Sequence, residues 1–281
     1  MTSVSGLLRS ATLRVADSDA RLLLAHALGV PASRLLTSGD LTPDAVDHFE
    51  QLLTRREAGI PLQYLTGRAP FRHVDVAVGP GVFIPRPETE VMTGWALERL
   101  AEAGESPLVV ELCAGSGAIS LAISDEFPDA RQYAVELSED AVAYAARNLT
   151  GTGVEVIQAD MADALPELDG TVDLVIANPP YVPLEAYDGI PAEVRDHEPT
   201  LALFSGQDGL DAIRVLAGVA SRLLRPGGWV CAEHAEVQGA SAPRVFVDHG
   251  GYGQVRDHRD LTDRPRFVTA RRLAAVAGWP S

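Results

Sequence analysis

From about residue 108 onward, short apolar segments alternate with stretches of helical periodicity, and this alternation constrains the fold more than any other feature. Strands are predicted at residues 108–112, 132–136, 154–158, 172–177, 228–233 and 267–271. The first four are separated by helical stretches or turns. This order predicts an α/β domain with a mostly parallel sheet, helices on both faces, and ligands at the carboxyl ends of the strands.

The segment before this domain has a different pattern. Residues 1–73 are predicted to form a small helical domain, with one helix near residues 17–29 and another that begins after Thr42 as N-cap and Pro43 as first helical residue. Short β-like pieces at 74–78 and 82–84 then predict a β-hairpin linker over residues 74–86. The α/β domain is expected to occupy residues 87–281.

The charge balance narrows the class of partner. The chain has 23 basic and 39 acidic residues, a formal net charge of −16, and its sequence contains no lysine. A Schiff-base or P-loop lysine is therefore excluded. Because binding to a phosphate backbone relies on basic surface, the acidic chain argues against direct nucleic-acid binding.

The sequence predicts neither a membrane segment nor a metal site. Its apolar runs are far shorter than the roughly 20 residues that span a bilayer, and the N-terminal segment lacks the apolar block of a secretory signal. Cys113 and Cys231 are the only cysteines, and the seven histidines show no paired metal spacing. We expect a reduced, cytoplasmic protein without a bound metal.

A glycine-containing turn follows the first strand of the α/β domain. It consists of Cys113, Ala114, Gly115, Ser116 and Gly117. Its two glycines let the backbone turn tightly and approach a ligand, as in a nucleotide-binding loop. The third glycine of a dinucleotide fingerprint is missing, so the loop by itself fits a tight strand-to-helix turn equally well.

Carboxylates at the ends of three strands favour a particular cofactor. Glu111 closes the first strand, Glu136 closes the second where a ribose-binding acid belongs, and Asp160 follows the third. They would repel a pyrophosphate, whereas S-adenosylmethionine carries a sulfonium and an ammonium and no phosphate. We therefore predict S-adenosylmethionine, with Glu136 on the ribose hydroxyls, Asp160 facing the adenine amino group and Met161 packed on the ring.

The most specific motif follows the apolar strand 172–177 and consists of Asn178, Pro179, Pro180 and Tyr181. Two prolines end the strand ladder and hold their carbonyls in a fixed direction. The Asn178 oxygen and a proline carbonyl can then accept both N–H bonds of a planar –NH2 group, while Tyr181 stacks on its face.

That geometry suits methyl transfer to a conjugated nitrogen. Such a nitrogen is a poor nucleophile, and acceptors on its hydrogens raise its electron density and aim it at the methyl group. The four residues leave the methyl acceptor open between a glutamine or asparagine amide and the exocyclic amine of adenine or cytosine.

The chain resembles the HemK/PrmC family, the peptide chain release factor glutamine N5-methyltransferases. Further segments carry this resemblance besides 178–181: Pro-Leu-Gln-Tyr-Leu-Thr-Gly at 61–67, Ile-Pro-Arg-Pro-Glu-Thr-Glu at 84–90, Glu-Pro at 198–199, Leu-Ala-Leu-Phe at 201–204 and Asp-Gly-Leu at 208–210. Where the family usually has aspartate, this chain has Glu111 and Glu136, which keep the charge and move the carboxylate outward.

The resemblance implies a seven-stranded Rossmann-like class I methyltransferase domain and an N-terminal helical substrate-binding domain. It also implies methylation of the glutamine in the Gly-Gly-Gln motif of class I release factors, with Asn178 touching both cofactor and substrate. Three other functions stay open at this point: an adenine-N6 methyltransferase, a glutamine methyltransferase of a ribosomal protein, and a protein that senses the cofactor without turnover.

Overall fold

The computed structural model describes residues 3–37 and 41–274. They divide into two compact units. The first contains the described residues up to Arg68, with Val78–Pro80 and Ile190–His197; the second contains Ala69–Ala77, Gly81–Gly189 and the described residues from Glu198 onward.

The helices and strands are numbered here in chain order. The helices are α1 Val4–Ala11, α2 Asp17–Ala27, α3 Pro43–Glu57, α4 Leu62–Thr66, α5 Pro87–Ala103, α6 Ala118–Glu126, α7 Glu139–Asn148, α8 Ala192–His197, α9 Thr200–Leu203, α10 Asp211–Leu223 and α11 Ser241–His249. The strands are β1 Arg68–Phe71, β2 Val74–Ala77, β3 Leu108–Leu112, β4 Arg131–Glu136, β5 Glu155–Gln158, β6 Val172–Ala177, β7 Leu224–Glu233, β8 Tyr252–Arg259 and β9 Pro265–Arg272.

The first unit is helical, and its helices α2 and α3 begin where the sequence predicts. The Thr42 hydroxyl accepts a hydrogen bond from the backbone N–H of Ala45 at 3.2 Å, so α3 has the predicted N-cap. Leu23 and Leu24 from α2 and Phe49 from α3 are almost fully buried in the core of this unit. Burial of this apolar face stabilises helices that are too short to persist alone in water.

An ion-pair cluster ties a segment distant in sequence to this helical unit. Arg56 at the end of α3 donates from Nε to Asp19 at 2.7 Å and from Nη1 to Glu193 of α8 at 2.9 Å. The helical unit therefore includes residues that follow β6 in the chain.

The second unit is built on a seven-stranded sheet with strand order β5-β4-β3-β6-β7-β9-β8. The neighbours from β5 through β7 pair in parallel, whereas β9 runs antiparallel to both β7 and β8. The order turns outward in both directions from β3 and β6, which creates a crevice at their carboxyl ends. The predicted fold class is confirmed.

The central strands are buried on both faces. Every residue of β3 is buried, and four consecutive residues of β6, 174–177, are likewise buried. Strands covered by helices on both sides read as continuous apolar runs, which is why they were recognisable in the sequence.

Two parts of the fold differ from the prediction. The hairpin consists of β1 and β2, so it begins at Arg68 and ends at Ala77, whereas strands were expected at 74–78 and 82–84. Pro70 lies within β1, where a proline normally argues against a strand; β1 pairs with β2 alone, so both are edge strands. Strand β8 was missed because its residues are mostly polar and only half-buried.

No helix among the described residues has both the length and the apolar character needed to cross a membrane.

Candidate methyl-transfer site

The predicted site residues leave the sheet at one edge because of its register. Leu112 at the end of β3 pairs with Val135 of β4 on one side and with Ala177 of β6 on the other. Parallel neighbours lie about 4.8 Å apart. The loop after β3, the residue Glu136 and the motif that starts at Asn178 therefore begin side by side.

The glycine-containing loop closes tightly onto α6. Cys113 has a φ of +56°, an uncommon value for a residue with a side chain. Gly117 has a φ of +75°, and a Cβ at this position would lie 2.9 Å from Cδ1 of Leu149. The second glycine of the loop thus permits both the left-handed turn and the close approach of α7.

Glu136 holds this loop through its carboxylate. Oε2 accepts from the backbone N–H of Gly115 at 2.8 Å, and Oε1 accepts from the backbone N–H of Ser138 at 2.8 Å. Each oxygen keeps a second lone pair, so both remain able to accept from a ligand hydroxyl. The residue predicted for the ribose therefore also shapes the loop itself.

The structure places Glu111 in the core. Its side chain is 1% exposed and its Oε2 accepts from both the backbone N–H, at 2.9 Å, and the hydroxyl of Ser120. Burial raises the pKa of Glu111 to about 8; the bonds from Ser120 oppose this shift and the charge of Glu136 adds to it. The contacts of Glu111 fasten β3 to the first turns of α6.

Cys113, in the loop after β3, contacts Met161, which follows β5, through the sulfur atoms of both side chains. The Cys113 thiol lies 3.8 Å from Sδ of Met161, which is half-buried. Burial, and then the charges of Glu136, Glu111 and Asp160, raise the pKa of the Cys113 thiol, so it stays protonated and is no nucleophile.

Asp160 is exposed, and its Oδ1 caps the following turn by accepting from the backbone N–H of Ala162 at 2.9 Å. Ala114 and Ser116 are buried within the loop backbone; the Ala114 N–H donates to Val135, and the Ser116 carbonyl accepts from Asn148. Glu136, Met161 and the loop are thus brought together, while Glu111 lies behind them.

The motif after β6 presents an oriented side chain. Asn178 is half-buried, and its Nδ2 donates to the Thr89 hydroxyl at 3.2 Å. Its amide oxygen, on the other branch of the side chain, accepts no hydrogen bond from the described residues. Pro179 is buried, while Pro180 and Tyr181 are half-buried. The Asn178 oxygen is therefore available as an acceptor.

A buried carboxylate that the sequence did not reveal connects this motif to α5. Glu233 is 1% exposed at the end of β7. Its Oε2 accepts from the Thr89 hydroxyl at 2.6 Å, and its Oε1 accepts from the Tyr181 hydroxyl at 3.0 Å. Burial raises the pKa of Glu233, and burial also raises the pKa of Tyr181, helped by the charge of Glu233.

The backbone at Tyr181 is fixed by residues from two other segments. Gln238 donates from Nε2 to the Tyr181 carbonyl at 3.0 Å and to the Asp208 carbonyl at 3.1 Å. Gly209 has a φ of +75°, and a Cβ there would lie only 2.2 Å from the Tyr181 carbonyl oxygen. The Asp-Gly-Leu segment at 208–210 therefore packs directly on the end of the motif.

Another pair of motifs is joined by charge. The Arg86 guanidinium pairs with the Glu198 carboxylate, whose side chain is 1% exposed, and Glu198 also accepts from the backbone N–H of Ile84 at 3.3 Å. The segments 84–90 and 198–199 thus form one structure, which their separation of more than 100 residues conceals in the sequence. No cluster of three or more metal-binding side chains occurs in the described part of the chain.

The sheet order, the glycine-containing loop after β3, the acidic residue ending β4 and the Asn-Pro-Pro-Tyr motif ending β6 define a class I S-adenosylmethionine-dependent methyltransferase fold. Residues 109–197 match a family profile described as "Methyltransferase domain", and residues 1–67 match one described as "PrmC N-terminal domain". The chain is 50% identical over 270 residues to a protein of Streptomyces coelicolor named "Release factor glutamine methyltransferase", covering 93% of this chain and 95% of that protein. It therefore belongs to the HemK/PrmC family of methyltransferases, as its motifs predicted.

The chain is also similar to a second curated protein and to a solved structure. A Streptomyces pristinaespiralis protein named "4-amino-L-phenylalanine/4-methylamino-L-phenylalanine methyltransferase" is 42% identical over 258 residues, covering 90% of this chain and 87% of that protein. A solved structure described as the "hMettl16 catalytic domain in complex with MAT2A 3'UTR hairpin 6" aligns with a TM-score of 0.56 at 13% identity, covering 73% of this chain and 78% of that chain. At that identity the solved structure shows a shared fold alone.

Proposed function

We propose that this enzyme transfers a methyl group from S-adenosylmethionine to the side-chain amide nitrogen, N5, of the glutamine in the Gly-Gly-Gln motif of class I release factors. The observation that carries the proposal is the orientation of Asn178. Its nitrogen is engaged by Thr89 at 3.2 Å, which leaves its oxygen to accept from a substrate N–H.

The residues at the strand ends fit the cofactor. Gly115 has nothing within 4 Å of the position where a Cβ would lie, so a ligand can approach its backbone. Glu136 has free lone pairs for the ribose hydroxyls, Met161 supplies a polarisable surface for the adenine ring, and Asp160 is exposed toward solvent. S-adenosylmethionine supplies an electrophilic methyl group on its sulfonium, and the nearby carboxylates favour that positive charge.

The chain's own residues prepare the nitrogen for attack. The Asn178 oxygen and a proline carbonyl each accept one N–H of the substrate amide, and Tyr181 packs on the amide plane. These bonds raise the electron density on nitrogen and hold its face toward the methyl carbon. As the N–C bond forms and the S–C bond breaks, one amide proton leaves to solvent, so a strong base is not required.

Two features support a protein partner, the N-terminal helical domain and the negative charge of the chain. We assign residues 1–73 the docking of the release factor, residues 74–86 the linker and residues 87–281 the chemistry. The formal charge of −16 favours a protein partner over a nucleic acid. Release factors act in translation, which places the enzyme in the cytoplasm, away from membranes.

The experiment compares the wild type with Asn178→Ala on purified release factor, using a labelled methyl donor and mass spectrometry. We expect the wild type to methylate the Gly-Gly-Gln glutamine and Asn178→Ala to lose at least about 100-fold in rate. Parallel reactions contain DNA, RNA, a ribosomal protein fraction and 4-amino-L-phenylalanine. Faster methylation of any of these than of release factor would reject the proposed substrate, and binding of cofactor without any transfer would indicate a sensor.

A further inference from the structure

Glu233 is hydrogen-bonded to two parts of the site, helix α5 and the motif after β6. This fully buried carboxylate accepts from Thr89 of α5 through one oxygen and from Tyr181 through the other. The two side chains belong to segments separated by more than 90 residues. No other group accepts the proton of the Thr89 hydroxyl, because a hydroxyl has only one.

The order of donors and acceptors from Glu233 through Thr89 to Asn178 is fixed by the single proton of the Thr89 hydroxyl. Thr89 gives its proton to Glu233 at 2.6 Å, so toward Asn178 it can offer only a lone pair. Asn178 must therefore turn its –NH2 group to Thr89, where the distance is 3.2 Å, and its oxygen away. An ionised carboxylate, which is acceptor-only, enforces this direction.

We propose that Glu233 is a positioning residue that acts through Thr89 to hold the Asn178 amide with its oxygen toward the substrate. This rests on the proposed function for the identity of the substrate, but the orientation itself is a property of the free enzyme. We call these three residues, Glu233, Thr89 and Asn178, the relay. The relay makes the site selective for ligands that present N–H donors to the Asn178 oxygen.

Reversal of the amide would convert the acceptor into a donor. The Asn178 –NH2 group would then face the substrate –NH2 group, and two donors would be left without partners in a desolvated site. Loss of one such interaction in the transition state lowers the rate by about 10- to 100-fold. Thr89 and Glu233 are both buried, so a change at either reaches the methyl donor only through Asn178, and we expect the cofactor affinity to change less than the rate.

The charge state of Glu233 controls the relay. The groups that face it are Tyr181, Arg266 and, at longer range, Glu88; the Arg266 charge favours the ionised carboxylate, and burial opposes it. A protonated Glu233 can itself donate to Thr89, which frees the Thr89 proton for the Asn178 oxygen and reverses the amide. Because the pKa of Glu233 is raised, turnover should fall on the acidic side at a higher pH than the ordinary glutamate value of about 4.3.

The test uses Glu233→Met, Thr89→Val and Thr89→Ser, with Glu236→Met as a matched control on an exposed residue shortly after β7. Methionine is chosen because a glutamine at 233 would keep an oxygen that can still accept from Thr89. Single-turnover methyl transfer and titration calorimetry with S-adenosylmethionine are measured for each. We expect Glu233→Met and Thr89→Val to lose about 10- to 100-fold in rate with a smaller change in cofactor affinity. Thr89→Ser, which retains the hydroxyl, should stay within about threefold of the wild type, as should Glu236→Met.

The pH profile separates positioning from mere structural support. The acidic decline should be present in the wild type and Thr89→Ser and should disappear in Glu233→Met. A Glu233→Met variant with a near-normal rate or an unchanged acidic decline would overturn the relay.

A measurement that needs no substrate tests the relay independently of the proposed function. In ¹⁵N-edited NMR spectra, the Asn178 side-chain –NH2 protons should show contacts to Thr89 in the wild type and lose them in Glu233→Met. If the wild type shows these contacts yet never methylates release factor, the proposed function fails and the relay stands. If the contacts are missing in the wild type, the relay fails whatever the substrate is.

Discussion

Replacing Gly209 by alanine should disable catalysis through a clash with the Asn-Pro-Pro-Tyr motif. A Cβ built at Gly209 lies 2.2 Å from the Tyr181 carbonyl oxygen and 2.7 Å from Nε2 of Gln238, which itself donates to that carbonyl. Ordinary contact begins at 3.4 Å, so the carbonyl must withdraw by about 1 Å. Displacement of this size at a reacting centre lowers rates by about 100-fold.

A second glycine provides a control for backbone strain. Gly170 has a φ of +70°, close to the +75° of Gly209, and has nothing within 4 Å of a Cβ. It precedes β6, at the opposite end of the strand from Asn178. Alanine at either position costs about 1–2 kcal/mol for the left-handed backbone, but only Gly209→Ala adds the clash and the disturbed Gln238 bond, for a total of about 3–4 kcal/mol.

Urea unfolding and methyl transfer to release factor are measured on both variants. We expect Gly170→Ala to retain near-normal turnover with a loss of about 1–2 kcal/mol in the free energy of unfolding. Gly209→Ala should lose about 100-fold in kcat/KM at a urea concentration and temperature where it is fully folded. Equal turnover of the two variants would refute the argument that Gly209 sets the position of the motif.

Three further changes test separate contacts. Glu111→Gln should flatten the pH dependence of stability. With a pKa raised to about 8 when folded, Glu111 contributes fully below its unfolded pKa of about 4.3 and loses this contribution as the pH rises, until the pH has passed 8. The free energy of unfolding in urea should therefore decline between about pH 5 and 8 more steeply in the wild type than in Glu111→Gln, which keeps the contribution of Glu233, and parallel curves would contradict this. Glu136→Gln should weaken cofactor binding at least about tenfold in calorimetry, because glutamine keeps one acceptor oxygen and loses the bond from either the Gly115 or the Ser138 N–H; unchanged affinity would count against Glu136. Arg86→Leu should cost about 3 kcal/mol in urea unfolding by removing the guanidinium beside buried Glu198, and adding Glu198→Gln should restore much of it; a loss unchanged by that addition would reject the ion pair as the cause.

The central sheet could be predicted from sequence because burial on both faces leaves a simple pattern. Strands β3 and β6 are continuous apolar runs that end in polar motifs, and both begin and end where predicted. Strand β8 has no such run, since its polar and apolar residues are mixed and its ladder with β9 contains irregularities. Its existence depends on pairing with β9, a tertiary contact that a local pattern does not contain.

For the site as well, residues at strand ends could be predicted from the sequence, whereas contacts between distant segments could not. Asn178 and Glu136 were predicted because each directly follows or ends an apolar strand, and the position along the chain identifies the edge of the sheet. Glu233 also ends a predicted strand, and that position was the signal available for it. Its partner Thr89 is 144 residues away, so the hydrogen bond between them emerges only when α5 packs on the sheet.

The most direct test of the account is the position of the transferred methyl group. Release factor is incubated with the wild-type enzyme and S-adenosylmethionine labelled in its methyl group, and the Gly-Gly-Gln peptide is sequenced by mass spectrometry. We predict one labelled methyl on the glutamine side-chain nitrogen, added at least about 100-fold more slowly by Asn178→Ala. Label on a different residue, or label added at an equal initial rate by the Asn178→Ala variant, would contradict the assigned role of Asn178.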